Sequence, residues 1–214
     1  MRAARLRATM ESPPVRTVAL ICHPETRSDA VRGIRADVTR AADGVLAVRY
    51  RVEGDIGRLR VPPPRPPGIA EGLWHHTCCE MFVASRGSTA GSTAGSTAGS
   101  TAGSTAYHEL NFGPSGEWAA YAFARYRDGS LLADDGLNPR IGVRITSEEL
   151  ALEARVPLDR LSPQYVGARL VLGLSVVIED ESGALSRWAL RHPPGRPDFH
   201  HPDAFALELD EVRH

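Results

Sequence analysis

The sequence of 214 residues has no lysine, few cysteines and no long apolar run. The three cysteines are Cys22 and the adjacent pair Cys78 and Cys79, a pattern without the spacing of a disulfide framework. The longest apolar run near the N-terminus covers residues 18–22, which is shorter than a signal-peptide core and far shorter than a membrane span. We therefore expect a reduced, cytoplasmic protein, unless an export signal precedes this start.

The charges are balanced, with 25 basic and 26 acidic residues and a formal net charge of −1. Nucleic acids and anionic membranes attract proteins with a basic excess, so neither is expected as a partner. A hydrophobic fraction of 42% is enough to build the core of a soluble domain. The expected partner is a small molecule, and the oligomeric state is left open.

Short segments with a period of two residues predict an all-β protein. Residues 34, 36 and 38 are apolar and alternate with polar residues, and residues 46, 48, 50 and 52 continue the pattern. Residues 169–178 are apolar on both faces, which is typical of a central strand. Further strands are predicted at residues 17–23, 107–112, 117–127, 141–145, 150–156, 185–190 and 205–209, with a short helical turn within 159–164. Turn signals between them, including one at residues 128–129 that ends a hairpin, favour an antiparallel β-sandwich of the jelly-roll type.

The predicted domain organisation is simple. Residues 16–210 form one sandwich domain, preceded by a flexible N-terminal tail at 1–15 and followed by a C-terminal tail at 211–214. Residues 87–106 consist of repeated GSTA, whose small polar residues cannot build a core, so they are predicted to form a flexible loop insertion. Such an insertion is tolerable because loop closure costs only roughly 0.6 kcal/mol per doubling of length.

Two acidic residues stand inside segments that otherwise look like buried strands. Glu80 lies in CCEMFVA and Glu109 in YHELNF. A buried carboxylate is costly without a partner, which suggests either internal pairing or a bound ligand. Tyr107, Glu109 and Asn111 share one strand face, and that face suits the recognition of hydroxyl groups. Trp74 has the same parity as Glu80 but lies roughly 20 Å away along a straight strand, so it can reach the same ligand only by folding back from the preceding loop.

A resemblance to a known family is carried by four segments, which read LW-x-x-TC-x-E-x-FVA, Y-x-E-x-NF-x-PSGEWAAY-x-F-x-x-YR, GLS-x-VIE and S-x-WAL-x-HPPGRPDFH. Together they resemble bacterial DOMON-like domain proteins, which are related to family 9 carbohydrate-binding modules. The resemblance implies a non-catalytic β-sandwich that binds a carbohydrate or a similar polyhydroxylated molecule in an aromatic-lined cleft. It also implies the ligand-binding residues, which are Trp74, Glu80, Glu109, Asn111 and Trp188. The GSTA block departs from the family pattern.

Several alternatives remain open at this point. The tryptophans could be core residues, Trp118 above all, while the acids pair with Arg125 or Arg127. Haem is the other ligand that DOMON relatives bind, and a haem-binding redox module would need an axial group such as Met81. On the carbohydrate hypothesis no cofactor is expected. Glu80 and Glu109 could serve as the acid pair of a glycosidase-like enzyme. A metal site is not predicted, since no zinc spacing is present and neighbouring residues on a strand diverge; His76 and Cys78 would be the pair that shares a face.

Overall fold

A computed structural model describes residues 13–86 and 106–211. The predictions for the N-terminal tail, the GSTA loop and the last residues fall largely outside these ranges. Among the described residues, no helix is both long and apolar enough to span a membrane. The strands are β1 Val15–Cys22, β2 Val31–Arg40, β3 Val45–Gly54, β4 Cys78–Ser85, β5 Tyr107–Phe112, β6 Trp118–Arg125, β7 Asp128–Leu131, β8 Arg140–Ile145, β9 Glu149–Pro157, β10 Leu170–Glu179, β11 Leu185–Ala189 and β12 Phe205–Leu209. The helical segments are α1 Leu158–Leu161 and 3-10 turns at Ile56–Arg58, Leu73–His75, Pro163–Tyr165 and Pro202–Ala204.

The strands pair in the order β7-β6-β5-β4-β10-β11-β1-β2-β3-β9-β8, and every pairing between named strands is antiparallel. β12 pairs with the first half of β10, and β11 pairs with the second half. β1 pairs along its length with β2 but meets β11 only through Ile21 and Cys22. We call β1, β2, β3, β9 and β8 the first layer, and the remaining strands the second layer.

The two layers pack face to face as an antiparallel β-sandwich, as the sequence predicted. Tyr50 on β3 is buried and donates a hydrogen bond from its hydroxyl to the backbone oxygen of Glu80 on β4, at 2.6 Å. Tyr165 reaches the same strand and donates to the backbone oxygen of Val83 at 2.9 Å. Each buried phenol thereby finds the partner that its hydroxyl requires.

Strand alternation decides which side chains enter the core between the layers. On β3, Leu46, Val48, Tyr50 and Val52 are fully buried, which confirms the predicted apolar face. On β4, Cys79, Met81 and Val83 are in the same core cluster. Their alternate neighbours on β4 must therefore lie on the outer face of the second layer.

Two local differences from the sequence prediction have simple causes. Residues 128–129, predicted as the turn that ends the hairpin, are instead the first residues of β7, which pairs with β6. β8 is the edge strand of the first layer, so Val143 and Ile145 are 37% and 49% exposed despite their apolar alternation. The predicted helical turn within 159–164 is present as α1 and the 3-10 turn after it.

Candidate functional site

The outer face of the second layer carries a cavity of about 460 Å³. Its floor comes from alternate residues of five neighbouring strands, β4, β5, β6, β10 and β11. The turn Leu73–His75 and the loop around residues 197–200 form its rim. The lining residues are Trp74, His75, Glu80, Phe82, Glu109, Tyr121, Phe123, Arg127, Val177, Leu185, Arg187, Pro197, Phe199 and His200.

Two acidic residues lie at the floor of the cavity. Glu80 is 2% exposed and Glu109 is 6% exposed. In the β4–β5 register Glu80 is opposite Asn111 and Phe82 is opposite Glu109, so the two acids are diagonal neighbours on the same face. The strand register therefore places both carboxyl groups near each other at the cavity.

Within residues 13–86 and 106–211, neither acid forms an ion pair with an arginine. The Ser175 hydroxyl donates a hydrogen bond to one Glu80 carboxyl oxygen at 2.9 Å. The Asn111 side-chain amide donates to one Glu109 carboxyl oxygen at 2.8 Å. Each acid thus has one neutral side-chain donor at hydrogen-bond distance, which is incomplete compensation for a buried charge.

The pKa values of both acids are raised. Burial is the main cause for each, because it disfavours the charged form. The neighbouring charge of Glu109 raises the pKa of Glu80 further, while Arg187 opposes that shift from a distance. Asn111 and Arg127 oppose the shift at Glu109. The pair therefore tends to retain a proton at pH values where isolated glutamates are ionised.

His200 is oriented by a short chain of hydrogen bonds. The Arg127 backbone N–H donates to the Tyr107 hydroxyl oxygen at 3.2 Å, and this hydroxyl lies 2.8 Å from His200 Nδ1. With the phenol donating to Nδ1, the ring proton is on Nε2, which is 3.6 Å from a Glu109 carboxyl oxygen. Burial lowers the pKa of His200 to about 4, so the ring is neutral at neutral pH and does not neutralise Glu109.

Aromatic rings form the walls of the cavity. Trp74 lies in the Leu73–His75 turn ahead of β4, is 37% exposed and meets Tyr121 edge-on with ring centroids 5.6 Å apart. Phe123 stacks on Tyr107 at 4.7 Å with an interplanar angle of 5°. Phe82 contacts the His200 ring edge-on at 5.2 Å. The result is a set of fixed ring surfaces around two acids.

Two buried polar atoms beside the acids lack a hydrogen-bond partner. They are the side-chain oxygen of Asn111 and the hydroxyl of Tyr121. The Tyr121 hydroxyl lies beside the Gly72 backbone amide, which affects its pKa, but it meets no group at full hydrogen-bond geometry. Buried polar atoms are normally paired, so each unpaired atom suggests a missing partner such as a ligand or water.

The structure brings together four of the five residues that the resemblance implied. Trp74, Glu80 and Glu109 line the cavity, and Asn111 lies directly beneath it, bonded to Glu109. Trp74 occupies the preceding turn, the position it needs in order to reach the acids.

Trp188 is placed elsewhere. It belongs to the core cluster, is 7% exposed and donates from its ring N–H to the Ser186 hydroxyl at 3.1 Å. The reason is strand parity: Arg187 of β11 points into the cavity, so the next residue points into the sandwich. Trp118 is also in the core, at 2% exposure.

Several cavity residues were not predicted from the sequence. Tyr121 and Phe123 could have been predicted from the β5–β6 hairpin, because it places Tyr121 opposite Glu109 and Phe123 opposite Tyr107. Arg187 and His200 carry no comparable signal. They lie far along the chain and enter the cavity only because β11 lies beside β10 and the last loop folds over the sheet.

The alternative pairings of the acids are not observed among residues 13–86 and 106–211. Arg125 pairs with Asp128 at 2.7 Å, and Arg127 pairs with Asp198 at 2.8 Å. Met81, the axial ligand considered for haem, is fully buried in the core.

The residues considered for a metal are also separated. The exposed His76 ring donates a hydrogen bond from Nδ1 to the Glu179 carboxylate at 2.6 Å, while Cys78 is fully buried. Within the part of the chain that the structure describes, no group of three metal-ligating side chains comes together.

No protein-family model matches the chain, and no curated protein matches it. Solved structures do. A candidate carbohydrate-binding protein from Bacteroides uniformis is similar with a TM-score of 0.63 at 12% identity, over 90% of this chain and 84% of that one.

Two structures of a family 9 carbohydrate-binding module from Caldicellulosiruptor kristjanssonii are also similar, both at 12% identity. The complex with cellotriose has a TM-score of 0.46 and covers 85% of this chain and 75% of that one. The complex with glucose has a TM-score of 0.44 and covers 79% and 72%. At such low identity, the Bacteroides structure supports the fold and nothing finer.

Proposed function

We propose that this protein is a non-catalytic, DOMON-like domain that binds a carbohydrate or a similar polyhydroxylated small molecule. The observation that carries the proposal is the cavity on the second layer, where aromatic walls surround two buried acids. A sugar has apolar C–H faces and a rim of hydroxyl groups, so its sites combine flat rings with fixed donors and acceptors. The cavity offers both kinds of surface within one small-molecule volume.

Each group in the cavity has a place in this mode of binding. Trp74 presents a partly exposed ring at the rim, on which a sugar face can pack. Glu80 and Glu109 supply carboxyl oxygens as hydroxyl acceptors, and Asn111 holds Glu109 in position. Arg187 and the Nε2–H of His200 supply donors. Trp188 has no place in this proposal because it lies in the core.

The fold is consistent with the proposal. The Bacteroides uniformis protein, which shares the fold, is itself described as a candidate carbohydrate-binding protein. That name belongs to the neighbour, and the chemistry of the cavity is the basis on which we extend it to this chain.

The test is a panel of neutral and charged monosaccharides and disaccharides, followed by intrinsic tryptophan fluorescence. Trp74 is 37% exposed, whereas Trp118 and Trp188 are 2% and 7% exposed. A bound sugar should therefore change the emission of Trp74 alone, and Trp74→Phe should remove the response while the protein stays folded. If no sugar of the panel changes the emission and none binds by calorimetry, the proposal is wrong.

One specific observation favours a second candidate. Two acids with raised pKa values in one cavity are also the arrangement of a glycosidase, in which one acid protonates the leaving group. Chromogenic glycosides distinguish the two functions. The binding proposal expects no turnover, and turnover that disappears in Glu80→Gln would establish the enzyme instead.

A further inference from the structure

The cavity contains more acidic groups than arginines that are free to compensate them. Glu80 and Glu109 contribute two carboxyl groups, and Arg187 is the lining arginine without an ion pair among the described residues. Arg127 also lines the cavity, but its charge is offset by Asp198 at 2.8 Å. With both acids ionised, the cavity would therefore carry one uncompensated negative charge in a buried position.

The hydrogen bonds at the cavity also leave acceptors without donors. Glu80 and Glu109 each receive one side-chain hydrogen bond, which leaves acceptor capacity on both carboxyl groups. Asn111 adds a fully buried oxygen without a partner, directly opposite Glu80 in the strand register. Glu80 and Glu109 line the cavity on adjacent strands of one face, and with both acids ionised their remaining acceptors call for a donor.

We infer that the cavity selects a polyhydroxylated ligand that carries a protonated amine, such as an amino sugar with a free amino group. The inference rests on the proposed function and narrows its ligand class. An ammonium group has three donors and no acceptor, which matches the free acceptors of Glu80 and Glu109. Its charge also compensates the second carboxylate, which no described residue of the cavity does.

The walls suit the same ligand. The rings of Trp74 and Tyr121 meet edge-on at the rim, and aromatic faces attract cations as well as the C–H faces of sugars. Neutral sugars can use the rings and some acceptors, but they cannot compensate the charge. They should bind in the same cavity with lower affinity.

Binding of an ammonium ligand has a proton balance that can be measured. The other titratable groups at the cavity are His75, Arg127, Arg187, Tyr121 and His200, and His200 is already neutral above pH about 4. Before binding, the acid pair retains a proton. When the ammonium enters, both carboxyl groups are stabilised in the ionised form, and this proton leaves to the buffer. A neutral sugar provides no charge and should release little or none.

The experiment is calorimetric titration with glucosamine, glucose and N-acetylglucosamine, which differ in the amino group. Each titration is repeated at neutral pH in phosphate and in Tris, whose ionisation enthalpies differ, so that the number of released protons is obtained. We expect glucosamine to bind at least about tenfold more tightly than the two neutral sugars, since charge-assisted hydrogen bonds are the stronger ones. Proton release should accompany glucosamine only.

A pair of glutamine variants supplies the control. Glu109→Gln keeps the shape of the side chain and removes one charge, so it should bring the ratio of glucosamine to glucose affinity close to one. Glu153→Gln, on the outer face of the first layer, should leave the ratio unchanged. Thermal unfolding of each variant verifies that it folds.

The outcomes separate the inference from the proposed function. Equal affinity for glucosamine and glucose would overturn the inference and leave sugar binding intact. N-acetylglucosamine binding as tightly as glucosamine would also overturn it, because the charge would then be irrelevant. Failure of all three sugars, and of the wider neutral panel, would count against the proposed function itself.

Discussion

Charged side chains on the two outer faces of the sandwich differ in their burial and in their ion pairing. On the first layer, arginines and acids alternate across β2, β3, β9 and β8, and the pairs are partly or fully exposed to solvent. Arg49 Nε lies 3.0 Å from Glu153, Arg51 lies 2.9 Å from Asp37, and Arg144 pairs with Glu149. On the second layer, Glu80 and Glu109 are buried among aromatic rings without such partners.

The comparison shows which of the two faces points to a ligand. Exposed ion pairs are solvated and contribute little, so the first layer needs no further explanation. Buried acids are expensive and are expected to be paired. Here the arginines that could pair with them are held by other acids or lie farther away. The unpaired face is therefore the functional candidate, and three tests can break or sharpen that conclusion.

The largest effect is expected at the rim. Trp74→Ala should reduce ligand affinity by about 2 kcal/mol or more, because a buried aromatic anchor is a typical hot spot of a binding site. The side chain is partly exposed in the free protein, so the free energy of unfolding should change little. Isothermal titration with the best sugar of the panel and denaturant unfolding measure the two quantities.

The first layer supplies a matched control for this variant. Val143 has the same exposed fraction as Trp74, 37%, but lies on β8, the edge strand of the first layer, where it is opposite Leu152 in the register and does not line the cavity. Val143→Ala should leave ligand affinity unchanged. Equal loss of affinity in both variants would mean that the loss is not specific to the cavity.

The next effect concerns pH. Burial raises the pKa of Glu80, so between the ordinary glutamate pKa of about 4.3 and the raised value the folded protein holds a proton that the unfolded chain has released. Raising the pH through this window therefore lowers the free energy of unfolding, by up to about 1.4 kcal/mol per pH unit for each such group. Glu80→Gln should be progressively more stable than the unchanged protein as the pH rises.

The difference between the two proteins is the informative quantity. Histidines with lowered pKa values, such as His200 at about 4, give stability that increases with pH up to about 6.5, but they contribute to both proteins alike. Glu80→Gln also lowers the pKa of Glu109, so the difference reports on the acid pair as a unit. Urea unfolding from pH 4 to 9 measures it, with Glu153→Gln as the control. Parallel curves for Glu80→Gln and the unchanged protein would contradict the raised pKa.

The smallest effect is expected on the first layer. Arg49→Gln removes an exposed ion pair with Glu153, with side chains 56% and 32% exposed. Such pairs contribute about 0.2–1 kcal/mol, and salt screens them. Denaturant unfolding at low and high salt should show a small loss that disappears at high salt. A larger, salt-independent loss would show that this face is more than a solvated surface.

Much of the fold could be predicted because it depends on local patterns. The alternation at residues 46–52 predicts both the strand and the buried face of β3, and the two-sided apolar run predicts the central position of β10. The edge position of β8 could not be predicted, since Ile141, Val143 and Ile145 alternate like a half-buried strand. Only the pairing order shows that, among the described strands, β8 has a neighbour on one side alone.

The candidate site could likewise be predicted only in part. Glu80, Glu109 and Asn111 were accessible to sequence reasoning, because a polar residue inside an apolar strand is conspicuous. The resemblance implies Trp188 as a ligand-binding residue, but the parity of β11 places it in the core instead.

The sequence by itself determined the strands, their inward faces and the presence of two acids where a charge is costly. These properties follow from a period of two residues and from the free energy of burying a carboxylate, both of which are local. Only the tertiary structure decided that the two acids share one cavity, that Arg127 is held by Asp198, and that His200 enters from a distant loop. Those facts depend on which strands become neighbours and how the last loop folds back, and contacts between residues so far apart in the chain leave no local pattern to read.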